Sequence, residues 1–322
     1  MSTLKKIKRA ANALVSCAAP VEVFTISKIG KVSPDLENPQ DARGHVAFVG
    51  TKTFGLSETG KMRPKLFLPP FHRRLTEHGV ASFYYQTCGD LLASLEVHRE
   101  HRLVVILVYG EDKDPAVIPA TRLVRRIQER HPDCVVANHP DAANIIRDKL
   151  KTNHLLTSFG IPMPRAEVTG GKVFSNSRVG TKQPSYVTEV GKLDGRRYNT
   201  QFIDARYEVN GVSYYCSLRA LFVGGSLLDL WPRFRPVADG DPNVHSEDTP
   251  QDQYLLNTFY HEVATPLRPR VEEVCEKVRK AFGLGFYSAD ILYNHAEDRF
   301  FLCEVGYKFA DHSWVKHCAH LS

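Results

Sequence analysis

Two carboxylates near the C-terminal end of the chain lie where they could bind a metal ion. Asp290 and Glu304 each sit within a short apolar run, and the polar segment 294–299 between the runs indicates a β-hairpin. If Asn294 pairs with Phe300, Asp290 lies directly opposite Glu304, with Cβ atoms about 5 Å apart. Two buried like charges this close repel each other. A magnesium ion held by their oxygens would remove that repulsion.

Other interpretations of these two acids remain open. Each carboxylate could instead form an ion pair with an arginine or a lysine, or the hairpin could have another register. Arg219 poses a related question, because it lies in the middle of the apolar run 214–223, where a charge needs an anionic partner. That partner is either an oxyanion such as phosphate, which a guanidinium binds through two hydrogen bonds, or a carboxylate of the protein core.

The net charge of the chain is concentrated at its N-terminus. The 322 residues include 42 Lys and Arg and 36 Asp and Glu, which gives a net charge of +6. Residues 1–21 contribute +4 of this and contain no acid, so residues 22–322 carry only +2. Nucleic-acid binding requires a basic face on the folded domain. A body this close to neutral therefore argues against a nucleic-acid partner.

The rest of the composition is typical of a globular protein without a membrane span. No run approaches the roughly 18 apolar residues that a transmembrane helix needs. Residues 1–20 read as a solvated basic extension, with a weak secretory signal or an amphipathic helix as the alternatives. The seven cysteines are scattered and never spaced as CxxC. This pattern favours reduced thiols over disulfides or zinc, and it predicts a cytoplasmic protein.

Two regions with different strand patterns follow the N-terminal extension. From His45 onward, short apolar runs alternate with helical patterns, which is typical of a parallel sheet with crossover helices. From Val212 onward, a long apolar run, the pair Gly224-Gly225 and a second run indicate an antiparallel hairpin. We therefore predict an α/β fold whose second part is an α+β unit.

This pattern gives predicted boundaries for domains and elements. Residues 1–40 form the basic, irregular extension, residues 41–142 an α/β domain and residues 143–322 the α+β unit. The predicted strands are 45–49, 81–85, 103–108, 134–137, 212–223, 226–231, 286–293 and 300–305. Helices are predicted at 141–159, ended by Gly160, at the start signal Thr249-Pro250, and at 268–282.

The order of these parts resembles the ATP-grasp superfamily, particularly its glutathione-synthetase-like and ribosomal-protein glutamate-ligase-like branches. The resemblance covers about residues 42–309. Residues 148–152 (DKLKT) and 160–164 (GIPMP) resemble the helix at which the family's grasp unit begins, and residues 218–225 (LRALFVGG) resemble the strand that bears its catalytic arginine. Asp290 and Glu304 match the positions of the family's magnesium ligands.

The resemblance implies a role for each candidate site residue. Lys149, and Lys182 just before a proline, would contact nucleotide phosphates. The backbone of Gln201, Phe202 and Ile203 would read the adenine edge. The remaining implied roles are the ribose for Asp204 or Glu208, catalysis for Arg219, a second common arginine for Arg233 or Arg235, and magnesium for Asp290 and Glu304.

The implied function is an ATP- and magnesium-dependent carboxylate–amine ligase that works through an acyl phosphate. Its substrates would be a small-molecule or peptide carboxylate and an amine, and a homo-oligomer is compatible with the sequence. Two features differ from the family: Gly306 stands where a third oxygen ligand, an Asn, is usual, and the central lobe, about residues 161–203, is short. The alternative is therefore a non-catalytic ATP-grasp-like protein that binds a nucleotide or another ligand.

Overall fold

The structure is a computed structural model. It describes residues 41–50, 72–85, 91–92, 102–108, 117–179, 184–244, 248 and 252–307. The predicted extension 1–40 and the candidate Lys182 lie outside these residues.

The first sheet is parallel, as the alternating pattern predicts. Its four strands are β1 (His45–Gly50), β2 (Ala81–Tyr85), β3 (Leu103–Val108) and β4 (Val135–Ala137). They lie in the order β2-β1-β3-β4, and every pair is parallel. Helix α1 (Val117–Arg130) connects β3 to β4, and residues 72–77 precede β2 as a helical turn. The α/β class predicted for this part of the chain is confirmed.

The helix predicted at 141–159 is two helices. They are α2 (Pro140–Ile146) and α3 (Lys149–Ser158). The break occurs because Asp148 adopts an extended backbone and caps α3, accepting hydrogen bonds from the backbone N–H groups of Leu150 and Lys151 at 3.1 and 3.2 Å. Gly160, with φ at +68°, ends α3 as predicted. The prediction of one continuous helix was wrong because an aspartate favours a cap over a helix interior.

The second sheet is small and antiparallel, in the order β6-β5-β7. Its strands are β5 (Lys172–Asn176), β6 (Tyr186–Glu189) and β7 (Tyr198–Gln201). A short 3₁₀ turn, Val190–Lys192, follows β6. These three strands lie within the segment for which the sequence predicts a short central lobe.

The third sheet is antiparallel and carries most of the candidate site. Its strands are β8 (Arg206–Val209), β9 (Val212–Val223), β10 (Ser226–Pro236), β11 (Phe286–Asn294) and β12 (Arg299–Gly306). The order is β10-β9-β11-β12, with β8 also paired to β9. Strand β10 runs five residues beyond its predicted end and includes Pro232 and Pro236. Because β10 lies at an edge of the described sheet, the N–H groups missing from the prolines are tolerated.

Two helices follow β10 and cover one face of this sheet. They are α4 (Gln253–Phe259), capped by Asp252, and α5 (Thr265–Phe282), joined by a π-helical turn, Tyr260–Ala264. The predicted start signal Thr249-Pro250 lies outside the described residues. The predicted core positions Val271, Val274, Val278 and Phe282 of α5 are all buried. Among the described residues, no helix is both long enough and apolar enough to cross a bilayer.

The two faces of the large sheet have different chemistry. Successive side chains of a strand point to opposite faces. Leu218 and Ala220 on β9, with Ala289 and Ile291 on β11, belong to the hydrophobic core that includes α5. The alternate residues, which include Arg219 and Asp290, therefore project from the other face. By packing against the core face, the helices fix the strands from which these polar side chains project.

A substitution on the core face tests this arrangement. Leu218→Ala should lower the free energy of unfolding by about 3 kcal/mol, because Leu218 is 1% exposed and a cavity would remain in the central strand. The control Leu228→Ala, at a residue that is 59% exposed, should change it by less than about 0.5 kcal/mol. Urea unfolding followed by circular dichroism measures both values. Equal losses in the two variants would contradict the assignment of the core face.

Candidate functional site

A pocket lies between the small sheet and the polar face of the large sheet. Its volume is about 890 Å³, counted with the solvent at its mouth. The small sheet and the segment after it contribute mainly uncharged side chains, and the charged ones come from the large sheet and from Lys149 of α3. The residues central to the chemistry are Lys149, Tyr198, Thr200, Gln201, Phe202, Ile203, Ser217, Arg233, Asn243, Asp290, Cys303 and Glu304.

Asp290 and Glu304 lie directly opposite each other, as the sequence predicts, but the register of the hairpin differs. Asn294 pairs with Arg299 instead of Phe300, so the loop has four residues instead of five. A register shift between Asp290 and Ile291 then adds one residue on β12 and restores the predicted pair. The predicted turn was wrong, and the bulge compensates for it.

Two arginines hold the Asp290 carboxylate. Arg219 Nε lies 2.9 Å from Asp290 Oδ1, and Arg233 Nη2 donates to the same oxygen at 2.7 Å. Burial by itself would raise the pKa of Asp290, but the two guanidinium groups outweigh it, so the pKa lies below its ordinary value. Asp290 is therefore an ionised carboxylate in contact with two cations.

Glu304 also faces a cation. Lys149 is the first residue of α3, and its side chain, only 6% exposed, places Nζ 3.6 Å from Glu304 Oε1. Together with Arg219 and Arg233, the lysine gives the cluster three positive charges against two carboxylates. The net charge of +1 at this end of the pocket favours an anionic ligand.

Two further polar atoms at this end are buried and have no hydrogen-bond partner within the described residues: Arg233 Nε and Ser217 Oγ. Ser217 and Arg233 are opposite each other in the β9–β10 register, and both line the pocket. Burial lowers the pKa of Arg233, an effect that Asp290 opposes. Buried polar atoms in folded proteins nearly always have a partner, so these two atoms are donors left for a ligand or a water at this end of the pocket.

The hinge segment Gln201–Ile203 lines the pocket, with part of its backbone already engaged. Gln201 N–H donates to Arg165 O at 2.9 Å, and Phe202 N–H donates to Lys172 O at 3.0 Å. For Ile203 N–H no hydrogen bond is found among the described residues. If the hinge binds an adenine edge, Ile203 is thus the residue whose N–H is left to donate.

Asp204 and Glu208, the candidates for ribose binding, do not line the pocket. Asp204 forms a two-point ion pair with Arg206, whose Nε lies 2.8 Å from Oδ1, and this pair lowers the pKa of Asp204. Glu208 is exposed on β8. The structure therefore does not bring either acid to the other candidates.

Arg235, predicted as a second ligand-binding arginine, instead holds a loop. Its Nη1 donates to Asp241 Oδ2 and to Asn243 O, both at 3.1 Å, and Asp239 lies 3.8 Å from its Nε. We call residues 237–244 the strap. Asn243 Nδ2 donates to Ser185 Oγ at 2.5 Å, so the strap connects the large sheet to the small-sheet lobe beside the pocket.

The described donors do not fit a magnesium site held by the protein. His, Cys, Asp and Glu side chains of the described residues form no group of three or more that could hold a metal ion. Gly306, opposite Ser288, offers no side-chain oxygen, and both Asp290 and Glu304 already face cations. Magnesium is usually bound by one or two carboxylates together with substrate phosphates and waters, so the number of protein donors does not decide the question, but the cations beside both carboxylates oppose a metal there. The magnesium prediction for this pair stays untested.

The two cysteines of the pocket are not nucleophiles. Burial raises the pKa of Cys216 to about 12 and also raises the pKa of Cys303. Both thiols therefore stay protonated near neutral pH. The described residues Cys134, Cys216, Cys275 and Cys303 are all free.

Ser217, Asn243 and Tyr198 are among the pocket residues that sequence reasoning missed. Ser217 lies two positions before Arg219, so strand alternation alone could have placed both on one face. Asn243 lies in a polar loop that carries no pattern, and only the tertiary contact with Ser185 reveals it. Tyr198 lies on a short strand without a distinctive motif, and its hydroxyl accepts a hydrogen bond from Asn153 Nδ2 at 2.9 Å.

No protein-family model and no curated protein sequence matches the chain. Solved structures do resemble it. An ATP-grasp RimK domain protein from Sphaerobacter thermophilus is 14% identical, with 86% of this chain and 96% of that one covered and a TM-score of 0.49. A D-alanine–D-alanine ligase from Bacillus anthracis, complexed with ATP, is 11% identical over 85% and 92% of the two chains, with a TM-score of 0.46.

A third similar structure is N5-carboxyaminoimidazole ribonucleotide synthetase from Thermotoga maritima, 12% identical over 82% of this chain and 68% of that one, with a TM-score of 0.44. The likeness to ATP-grasp proteins that the sequence indicates is thus also found among solved structures. At these identities it concerns the fold alone, and we transfer no residue role from it.

The strap depends on Arg235. Arg235→Gln should speed amide hydrogen exchange across residues 237–244 by about tenfold, because it removes charge-assisted hydrogen bonds that hold the strap against β10. Hydrogen exchange read by mass spectrometry measures the change. The control Arg279→Gln, which breaks an exposed pair with Glu276, should leave the strap unchanged. Unaltered exchange in Arg235→Gln would show that the strap has another anchor.

Proposed function

We propose that this protein is an ATP-dependent ligase that joins a carboxylate to an amine through an acyl phosphate. One observation carries the proposal: a pocket between two sheets is lined at one end by Lys149, Arg233 and the Arg219-paired Asp290, and has the hinge Gln201–Ile203 in its wall. A nucleotide has the same two parts, an anionic phosphate chain and a flat base. Pocket and ligand therefore match in charge.

The proposed nucleotide contacts follow from the available donors. Ile203 N–H would donate to the base, since the other two hinge amides already donate to the carbonyl oxygens of Arg165 and Lys172. Lys149, at the N-terminus of α3, and Arg233, with its unpartnered Nε, would bind phosphate oxygens.

The proposed reaction has two steps. A carboxylate oxygen of the substrate takes the terminal phosphoryl group, which gives an acyl phosphate and ADP. The amine then attacks the carbonyl carbon, and phosphate leaves as the amide forms. Arg219, directly beside Asp290, and Arg233 would stabilise the negative charge that develops on the transferred group, a role that fixed charges perform well in a buried site.

Magnesium is not part of this proposal. The sequence assigned it to Asp290 and Glu304, and in the structure those carboxylates face Arg219, Arg233 and Lys149. The substrates are proposed only as a small-molecule or peptide carboxylate and an amine. The strap, which contributes Asn243 to the pocket, is the segment that we expect to contact them.

The second candidate function is a non-catalytic protein that binds a nucleotide or a similar anion. It is favoured by the ion pairs of Asp290, because Arg219 and Arg233 both pair with the same carboxylate oxygen. A catalyst needs those charges on the reacting group. The two candidates make the same binding prediction and differ only in turnover.

An ADP-release assay separates the candidates. The protein is incubated with ATP, magnesium chloride and pools of amino acids and small acids, and nucleotide binding is measured in parallel by calorimetry. A ligase should release ADP with some pool, and Arg219→Ala should lower that rate by about 100-fold or more, because it removes a fixed charge at the transferred group.

The matched control is Arg270→Ala, which removes an exposed arginine that pairs with Asp298 outside the pocket. It should keep the full rate of ADP release. Nucleotide binding without ADP release from any pool would favour the second candidate. Absence of nucleotide binding in the wild-type protein would contradict both.

A further inference from the structure

We infer that Asp290 is an internal anion that occupies the arginine pair until a phosphate or carboxylate oxyanion replaces it, and that it is not a metal ligand. The inference deepens the proposed function by naming how its anion subsite is controlled. It rests on that function only for the identity of the natural ligand. The anion subsite itself consists of Arg219, Arg233 and Ser217.

The geometry of the pair carries the first step. Both guanidinium groups converge on one oxygen, Asp290 Oδ1, at 2.9 and 2.7 Å, which are the distances of charge-assisted hydrogen bonds. A cation coordinated by that oxygen would lie against two positive groups. An anion would be attracted to the same two groups, so Asp290 occupies the position of an anion.

Two hydrogen-bond donors of the subsite do not bind Asp290. Arg233 Nε and Ser217 Oγ are buried and have no partner within the described residues, so a single carboxylate does not satisfy the subsite. A tetrahedral phosphate presents more acceptor oxygens than a carboxylate does. It can therefore serve these donors as well as the guanidinium groups now bound to Asp290.

The local charge carries the third step. Lys149, Arg219 and Arg233 give three positive charges, and Asp290 and Glu304 give two negative ones. Removal of the Asp290 charge raises the net charge from +1 to +2. If Asp290 competes with the ligand, its loss strengthens anion binding. If Asp290 were a metal ligand, its loss would weaken any binding that depends on the metal.

The test is rescue of Asp290→Asn by inorganic phosphate. In chloride the variant should melt below the wild type, because two largely buried guanidinium groups lose their counter-charge. Phosphate at matched ionic strength should raise its melting temperature more than that of the wild type. Calorimetric titration should give a phosphate Kd about tenfold lower than in the wild type, since one competing charge is gone.

The control is Asp298→Asn, which removes a carboxylate that pairs with Arg270 at the surface, where the aspartate side chain is 76% exposed. Phosphate should have no more effect on it than on the wild type. Asp290→Ala, tested in the same way, covers the case in which the amide of Asn itself disturbs the pocket. If neither Asp290 variant folds in phosphate, or phosphate stabilises neither beyond the wild type, the inference is wrong.

A magnesium arm tests the competing assignment. The wild-type protein should melt at the same temperature in magnesium chloride as in sodium chloride with EDTA at equal ionic strength. Stabilisation by magnesium that disappears in Asp290→Asn would overturn the inference and leave the proposed function standing. Phosphate rescue in a protein that binds no nucleotide would support the inference about Asp290 and contradict the proposed function. The experiments can therefore contradict either claim without the other.

Discussion

The contact of one carboxylate with two arginines organises the polar face of the large sheet. Asp290 on β11 binds Arg219 on the neighbouring strand β9 and Arg233 on β10, one strand further away. The ion pairs thereby tie three strands together at the floor of the pocket. Breaking such a buried pair leaves uncompensated charge, which is strongly destabilising. Fold and site are therefore coupled here, because the charges that would bind a ligand also hold the strands that carry them.

The sequence could predict the juxtaposition of Asp290 and Glu304 because strand pairing depends on local turn signals and on alternation. It could not predict the route to that pairing. The turn is one residue tighter than expected, and a register shift beside Asp290 compensates for it. The extra residue is Cys303, between Leu302 and Glu304, and no residue in that run is distinctive of a bulge. The prediction of the pair therefore held although its premise about the loop was wrong.

Two prolines in β10 explain why the predicted return strand was too short to include Arg233. The predicted strand ended at Trp231, just before Pro232, and a proline removes a ladder hydrogen bond. The structure places that strand at an edge, where a missing N–H costs little. The strand therefore continues, and Arg233 comes opposite Ser217. Edge or centre is a property of the whole sheet, so no local pattern around Pro232 could have decided it.

The same limit explains the magnesium prediction. Two facing carboxylates need positive charge, and a pattern confined to β11 and β12 leaves open whether a metal ion or an arginine or lysine supplies it. The structure supplies the charge from elsewhere: Lys149 reaches Glu304 because Asp148 ends one helix and starts the next, and Arg219 and Arg233 arrive from β9 and β10. Each of these contacts is long-range in sequence. The chemistry of the acid pair is therefore decided by the strands and the helix around it, and these make the floor of the pocket cationic.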